Sequence, residues 1–440
     1  MRVFFFWLYL IGLIAGVCTS RLLAQNTTVA SPTPPSKVFK IEAELRSRTE
    51  LRNGYRQLRN DTTTVAFFTG GRTRIGFNYQ TPKYALVVSA QDVRVWGETD
   101  GRSNKSIFQL FEGYGDYFFS ERLSLRAGRQ RLMYDNQRLF AQNDWRHTAN
   151  AHDGFNLRYI APKLKTELAV CFNQKAEQIF GTNFSPDFST YKFLAVHYLL
   201  WSINKQWALT TINATDGFQD AQQVEKIHFR HTNGGRIELT QPKWYATLAA
   251  YYQWGKTVTD QSIMAYYLQP EVKYTPNNKW WVRLGAEVMS GQDALNTTDT
   301  KFRSFVALYG VAHRFNGYMD LFTAFPADLN YAGLVDPYLF VNYSINEKWA
   351  LRSDYHVFYS QNNFVQNGSS IKKYLGFEND WLLNYTLNDA TKIEWGLCYL
   401  LPTESLTYIK KGGNADLLNY WGYVQLTFKP TLFQHSSAMK

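Results

Sequence analysis

The sequence predicts an all-β protein, a transmembrane antiparallel β-barrel of about 18 strands with short periplasmic turns and long extracellular loops. Three observations carry that expectation. Long segments alternate apolar and polar residues with period two. Their connections alternate between tight polar turns and long loops. Beyond an N-terminal stretch, no apolar run of about 18 residues is present to form a spanning helix. At 440 residues, 17% aromatic and 45% hydrophobic with 13 Pro, the composition is not that of a disordered chain.

The chain opens on Met1-Arg2 and an apolar stretch over 3–17, which predicts a secretory signal peptide over 1–24 with the cut between Ala24 and Gln25. A lipoprotein reading at Cys18 fails because Val17 stands where a small residue is needed. Export places the protein in the outer membrane of a Gram-negative cell if the barrel reading holds. Residues 25–37 (QNTTVASPTPPSK) form a Pro/Ser/Thr lead-in without periodicity, 38–428 the barrel, and 429–440 a C-terminal tail.

In the first strand, Ile41, Ala43, Leu45, Ser47, Thr49 and Leu51 share one parity. Glu42, Glu44, Arg46, Arg48, Glu50 and Arg52 share the other. One face is mostly apolar, the other wholly charged, over about a dozen residues, the length of a tilted membrane strand. Alternation continues over 64–80, 84–98, 107–119 and 123–134, and resumes over 155–160, 164–173, 193–203, 207–213, 227–240, 244–255, 264–274 and 280–290. The segments 302–314, 334–345, 349–359, 374–385, 393–401 and 420–428 complete the series. Turns such as 204–206, 275–279 and 346–348 are short and rich in Asn and Lys. The linkers 135–150, 174–191, 215–225, 291–301, 316–333, 361–373 and 403–418 are long. The one over 316–333 carries Leu321, Phe322 and Phe325 and is expected to fold inward. Trp201, Trp207, Trp244, Trp280, Trp281, Trp349 and Trp381 sit beside turns, as interfacial girdles require. Cys171 and Cys398 lie in separate strands and are read as unpaired.

Arginines concentrate on the polar parities and in the long connection after the fifth strand. Arg126 alternates with Leu125 and Ala127, and Gly128 marks a kink or strand end before Arg129 and Arg131. Arg126-Ala127-Gly128-Arg129-Gln130-Arg131-Leu132, Tyr134, Arg138-Leu139, Trp145 and Asp153-Gly154 resemble the signature of the alginate export family. That family consists of outer-membrane barrels that pass anionic polysaccharide. The match departs at Asp135, where a glycine is expected, and at Asn150-Ala151-His152, where an Arg-containing run is expected. A second stretch, Gly317-Tyr318-Met319-Asp320 with Gly333-Leu334 and Asp336, echoes the family more weakly. The resemblance implies a passive channel, with a final aromatic strand recognised by the barrel-assembly machinery.

The candidate substrate-binding residues are Arg46, Arg48, Arg72, Arg74, Arg126, Arg129, Arg131, Arg138, Arg146 and Arg158. Facing a lumen or its rim, their planar donor forks match carboxylated sugars. The same arginines could instead pair with Glu42, Glu44, Glu50 and Asp92 to stabilise the wall, and both roles stand. The formal charge of +11 falls to +9 without the signal (45 Lys+Arg, 36 Asp+Glu). That excess suits an anionic carbohydrate and a lipopolysaccharide surface, and export argues against nucleic acid. No G-x-S-x-G, H-E-x-x-H or P-loop motif occurs, so no enzyme, cofactor or metal is expected. Asp144, His147, His152 and Asp153 read as a solvated loop rather than a cation site. The expected function is passage of anionic polysaccharide or oligosaccharide by passive diffusion. The alternatives are a general or small-anion-selective porin and, further off, a barrel hydrolase.

Overall fold

In the computed structural model, residues 36–98, 108–184, 190–220, 222–223, 225–366 and 369–438 are described. The expected signal peptide and all but the end of the 25–37 lead-in lie outside them. β1 (Ser36–Asn53), β2 (Ala66–Gln80), β3 (Tyr84–Val95), β4 (Gln109–Phe118), β5 (Leu123–Gln130) and β6 (His152–Ala161) each pair antiparallel with the next. So do β7 (Leu164–Phe172), β8 (Phe193–Ser202), β9 (Trp207–Gln219), β10 (Ile227–Thr240), β11 (Trp244–Lys256), β12 (Ser262–Tyr274) and β13 (Trp280–Met289). β14 (Leu334–Ser344), β15 (Trp349–Ser360), β16 (Tyr374–Asn388), β17 (Thr391–Pro402) and β18 (Asn419–Phe428) continue the meander. β18 then pairs with β1, from Leu45↔Phe428 to Asn53↔Tyr420, so the sheet closes as an 18-stranded barrel and has no free edge.

The last strand runs further than the sequence suggested. After Lys429-Pro430 it resumes over Thr431–Ala438 and pairs with Ser36–Glu42 of β1, the register shifting between Ile41 and Glu42. Pro430 has no N–H to give, but its carbonyl accepts from Ala43 N at 3.1 Å, so the two halves act as one strand across the break. The barrel therefore spans 36–438 rather than 38–428, and most of the expected tail is strand.

The periplasmic turns repeat one device. Asn204, Asn277 and Asn346 each accept, through Oδ1, the backbone N–H groups two and three residues on, at 2.8–3.1 Å. The third residue is Trp207, Trp280 or Trp349, the first of its strand, so each Asx turn also sets an aromatic at the membrane boundary. Along β1 the parities separate as expected. Leu45 is 49% exposed on the outer face, whereas Glu44, Arg46, Arg48 and Glu50 are buried inside. Outer positions elsewhere are apolar too, among them Phe67, Leu86, Leu284 and Leu397.

The lumen is packed. Two long outer connections, 131–151 after β5 and 290–333 after β13, fold into it and form its apolar core. Leu132, Tyr134, Phe140, Phe305, Met319, Leu321 and Phe322 are almost wholly buried there. They join through a parallel bridge between Phe140 and Tyr309, with Tyr309 N donating to Leu139 O (3.0 Å) and Val311 N to Gln137 O (3.1 Å). Gly310 makes this approach feasible, since a Cβ there would fall 1.9 Å from Arg138 O.

Here one expected strand is absent. Residues 302–314 alternate, but they form an irregular inner segment. Phe302, Phe305 and Val306 point into the lumen core, and its backbone pairs with the 131–151 connection, with Ser290 and with the Gln253 side chain. Period two arose from packing against a second loop, which periodicity alone does not distinguish from a sheet. The 316–333 stretch folds inward as expected. Cys171 and Cys398 are free and buried.

Candidate functional site: the lumen and its basic vestibule

Nine of the ten nominated arginines fall into four groups. β1 and β2 bring Arg46, Arg72 and Arg74 together around Glu44, and the inner loop supplies Asp144 to the same point. Arg46 Nη2 lies 2.8 Å from Asp144 and 3.1 Å from Glu44. Arg72 pairs with Glu44 and lies 3.0 Å from Asp144, with Arg74 at 3.6 Å. Burial alone would raise the Asp144 carboxyl, yet the guanidinium groups of Arg46 and Arg72 hold it at about 2. Beside it, burial and the charges of Arg48, Arg46 and Arg72 push His147 down to about 3, so its imidazole is neutral. Arg48 pairs with Glu50 (3.0 Å) and stacks over Trp145, 4.0 Å from the ring centre. Trp145 in turn stacks on His313 at 4.0 Å and meets Trp421 and Tyr423 edge-on. The expected solvated loop is thus a docked one: an acid and a tryptophan hold it to the cationic wall.

Arg126 makes a bidentate pair with Asp116 (both 2.8 Å), and Arg158 reaches the same carboxylate at 3.3 Å. Higher up, Arg129 pairs with Asp153 (2.6 Å) and Arg131 with Glu112 (2.8 Å). Gly128, at φ +120°, lets the strand pass close to Gly113, where a Cβ would lie 2.3 Å from the carbonyl. Arg138 is buried in the core, 2.8 Å from Glu287, 2.8 Å from Val311 O and 2.6 Å from Asn316 Oδ1. Arg146 is exposed and has no ion pair among the described residues. His152, read with the loop, is instead buried and bonded to the Tyr191 hydroxyl at 2.8 Å. Every nominated arginine except Arg146 therefore already has a carboxylate within ion-pair distance.

Net positive charge gathers elsewhere. At the periplasmic end of the lumen, a cavity of about 560 Å³ is lined by Arg236 (β10), Lys273 (β12), Arg283 (β13), Arg352 (β15), Lys392 (β17) and Arg314 from the inner segment. Its carboxylates are Glu271 and Glu394. Trp281 and Phe340 form an aromatic wall under the cations. Lys273 Nζ lies 4.9 Å from the Trp281 ring, Arg283 5.4 Å from it, and Arg352 5.0 Å from Phe340. Arg314 donates to Asn136 O, while its Nε is buried without a partner. Burial, outweighing Tyr318, and the like charges of Arg283, Arg352 and Arg236 push its guanidinium down to about 10, so it stays protonated at neutral pH. Trp281, expected in an interfacial girdle, faces this vestibule instead.

Sequence reading missed these six cations for a simple reason. Five lie one to a strand across 236–392, Arg314 comes from the inner segment, and they become neighbours only through register and the inward fold of that segment. The one available signal was parity: Trp281 and Arg283 share a face, as do Glu271 and Lys273.

A closed 18-stranded wall with apolar residues outward, charged residues inward and tight turns at one end defines an outer-membrane β-barrel channel. Crystal structures of the same shape confirm the fold. OccK9 (OpdG) of Pseudomonas aeruginosa aligns with a TM-score of 0.63 at 10% identity, covering 90% of this chain and 98% of that one. OccAB2 of Acinetobacter baumannii gives 0.61 at 11%, with 90% and 98% covered. OccK11 (OpdR) of P. aeruginosa gives 0.58 at 12%, with 90% and 96% covered. No curated protein matches the chain in sequence. The profile of the alginate export family matches residues 41–391, and the chain belongs to that family.

Proposed function

We propose that this outer-membrane channel passes carboxylated oligosaccharide by passive diffusion, with the basic vestibule as its principal binding station. The observation that carries the reading is the excess of cations over acids around an open, aromatic-walled cavity: Arg236, Arg283 and Arg352 hold Glu238, Glu271 and Asp354, but Lys273, Arg314 and Lys392 have no carboxylate within ion-pair distance among the described residues. Guanidinium forks suit carboxylates, and Trp281 offers a flat apolar face to a sugar ring. Several weak contacts let a solute leave as well as enter. The sequence-nominated arginines Arg46, Arg48, Arg72, Arg74, Arg126 and Arg158 act in this reading mainly by seating the inner loop and stiffening the wall. Arg129, Arg131 and Arg146, nearer the outside, make first contact with anions or with lipopolysaccharide. Assembly by the barrel machinery belongs to the same proposal.

Planar-bilayer conductance tests it. Oligomannuronate added on the periplasmic side is expected to block, whereas neutral oligosaccharide of equal length is not. Lys273→Glu with Arg283→Glu should abolish the block, and Arg129→Glu with Arg131→Glu should only weaken it. Equal block by neutral sugar would refute the reading. The packed inner segments favour a second reading, a channel for small anions. Liposome swelling with uronates of increasing length separates the two, since a small-anion channel excludes all but the monomer.

A further inference from the structure

Apart from the lumen, a second cavity opens at the outer mouth. The β11–β12 connection, the start of the 290–333 segment, its stretch 330–332 and the β15–β16 connection converge on a space of about 540 Å³. That is a common size for small-molecule sites. Among the described residues its lining holds no Lys, Arg, Asp or Glu; it is made largely of side-chain amides and hydroxyls around aromatic rings.

The walls are cross-linked by backbone. Gln292 N donates to Tyr331 O (2.6 Å), Asn362 N to Ala332 O (2.9 Å) and Ala294 N to Asn363 O (3.1 Å). Asn330 and Tyr331 both adopt positive φ, 45° and 69°. Asn330 ends a short 3-10 turn, where a left-handed Asn is common. Tyr331 has no such explanation, and a bulky residue in this region is a genuine outlier that calls for a functional reason. The same segment has glycine at two positive-φ positions, Gly317 and Gly333, and Leu308 and Asp320 at two others. Tyr331 stands apart from these in facing the cavity, 37% exposed and edge-on to Phe302. Neither its hydroxyl nor the Asn330 side chain has a protein partner among the described residues. Asn363 also keeps its side-chain carbonyl free, since only its amide is used, on Asp293.

We propose that this cavity binds one uncharged sugar unit, stacked on Tyr331 and hydrogen-bonded by Asn330, Gln292 and Asn363. Asn330 can both donate and accept, Gln292 donates because its carbonyl already takes Arg303 N (3.1 Å), and Asn363 accepts, which together suit paired ring hydroxyls, and the tyrosine face takes the apolar C–H side of the ring. A carboxylated sugar would meet no counter-charge here, so this site and the vestibule select opposite chemistries. The inference does not depend on the anionic-conduit reading.

The test uses the full chain in detergent, with saturation-transfer NMR and titration of maltotriose, cellotriose, mannotriose, N,N′,N″-triacetylchitotriose and trimannuronate. At least one neutral trisaccharide should bind saturably, and more tightly than trimannuronate. Tyr331→Gly suits the left-handed backbone and should weaken that binding at least tenfold, whereas Tyr331→Phe should largely keep it. Asn330→Gly reads the amide separately and decides the matter if Tyr331→Gly does not assemble. The proposal is overturned if no neutral probe binds, if trimannuronate binds more tightly, or if removing the ring and the amide leaves affinity unchanged.

Discussion

Replacing Arg138 should open the channel. Its guanidinium joins three elements: Glu287 on β13, Asn316 and the Val311 carbonyl on one inner segment, and its own segment 131–151. Side-chain exposure is 2% for Arg138 and 0% for Glu287, so the pair is screened by no solvent. Arg138→Met keeps much of the volume and removes the charge. Glu287 would then retain only the Tyr267 hydroxyl (2.5 Å) and the Asn316 amide (2.8 Å) as donors. Breaking one partner of a buried pair typically costs about 3–5 kcal/mol. The strands keep their own ladders, so the cost falls on docking of the two inner segments. Converted at about 1.4 kcal/mol per decade, it raises the undocked fraction by roughly 10² to 10⁴. Single-channel recording in planar bilayers reads this as higher open probability and larger unitary conductance. Arg138→Met with Glu287→Gln should recover much of the closed state, because no uncompensated charge remains. Wild-type gating and conductance in Arg138→Met would refute the claim that this pair holds the inner segments in place.

Other outcomes follow from the same contacts. The His147 imidazole has a pKa depressed to about 3, below its ordinary unfolded value, so the docked loop is favoured at neutral pH and loses that preference as pH falls from about 6.5 toward 3. Open probability should therefore rise on acidification through that window, and His147→Gln should flatten the profile. Asp144, held at about 2, keeps its share of docking until pH falls below about 4, so Asp144→Asn should raise open probability already at pH 7. Gly310→Ala has no room for its Cβ against Arg138 O and should part the two inner segments, seen as faster hydrogen exchange at 137–141 and 305–311. Truncation after Phe428 leaves Leu45–Asn53 paired but strips Ser36–Glu42 of its partner, so the barrel should still form and show a lower heat-modification temperature on gels.

Much of the wall was legible in the sequence because a barrel strand carries its own signature. Glu42 to Arg52 alternate with Ile41 to Leu51 whether or not the neighbouring strands are known, and Asn-x-x-Trp turns announce themselves locally. The interior was legible only in part, because it is built from contacts distant in sequence. Arg46 and Asp144 lie 98 positions apart, and Arg138 and Glu287 149 apart. Nothing local distinguishes an arginine that awaits a solute from one already matched by an acid on a returning loop. The 302–314 segment shows the converse: alternation is real there, but its second face meets another inner segment rather than lipid. Arg314 sits within that segment, so misreading it as strand also hid the residue that roofs the vestibule.

The reversal potential in a tenfold KCl gradient tests the central claim most directly, because it reports the sign of the charge that the open path presents to ions. The wild-type channel should be anion-selective, and Arg283→Glu with Arg352→Glu should shift it toward cations while the heat-modified gel band stays that of a folded barrel. Cation selectivity in the wild type, or a reversal potential unmoved by the double charge reversal, would contradict the account.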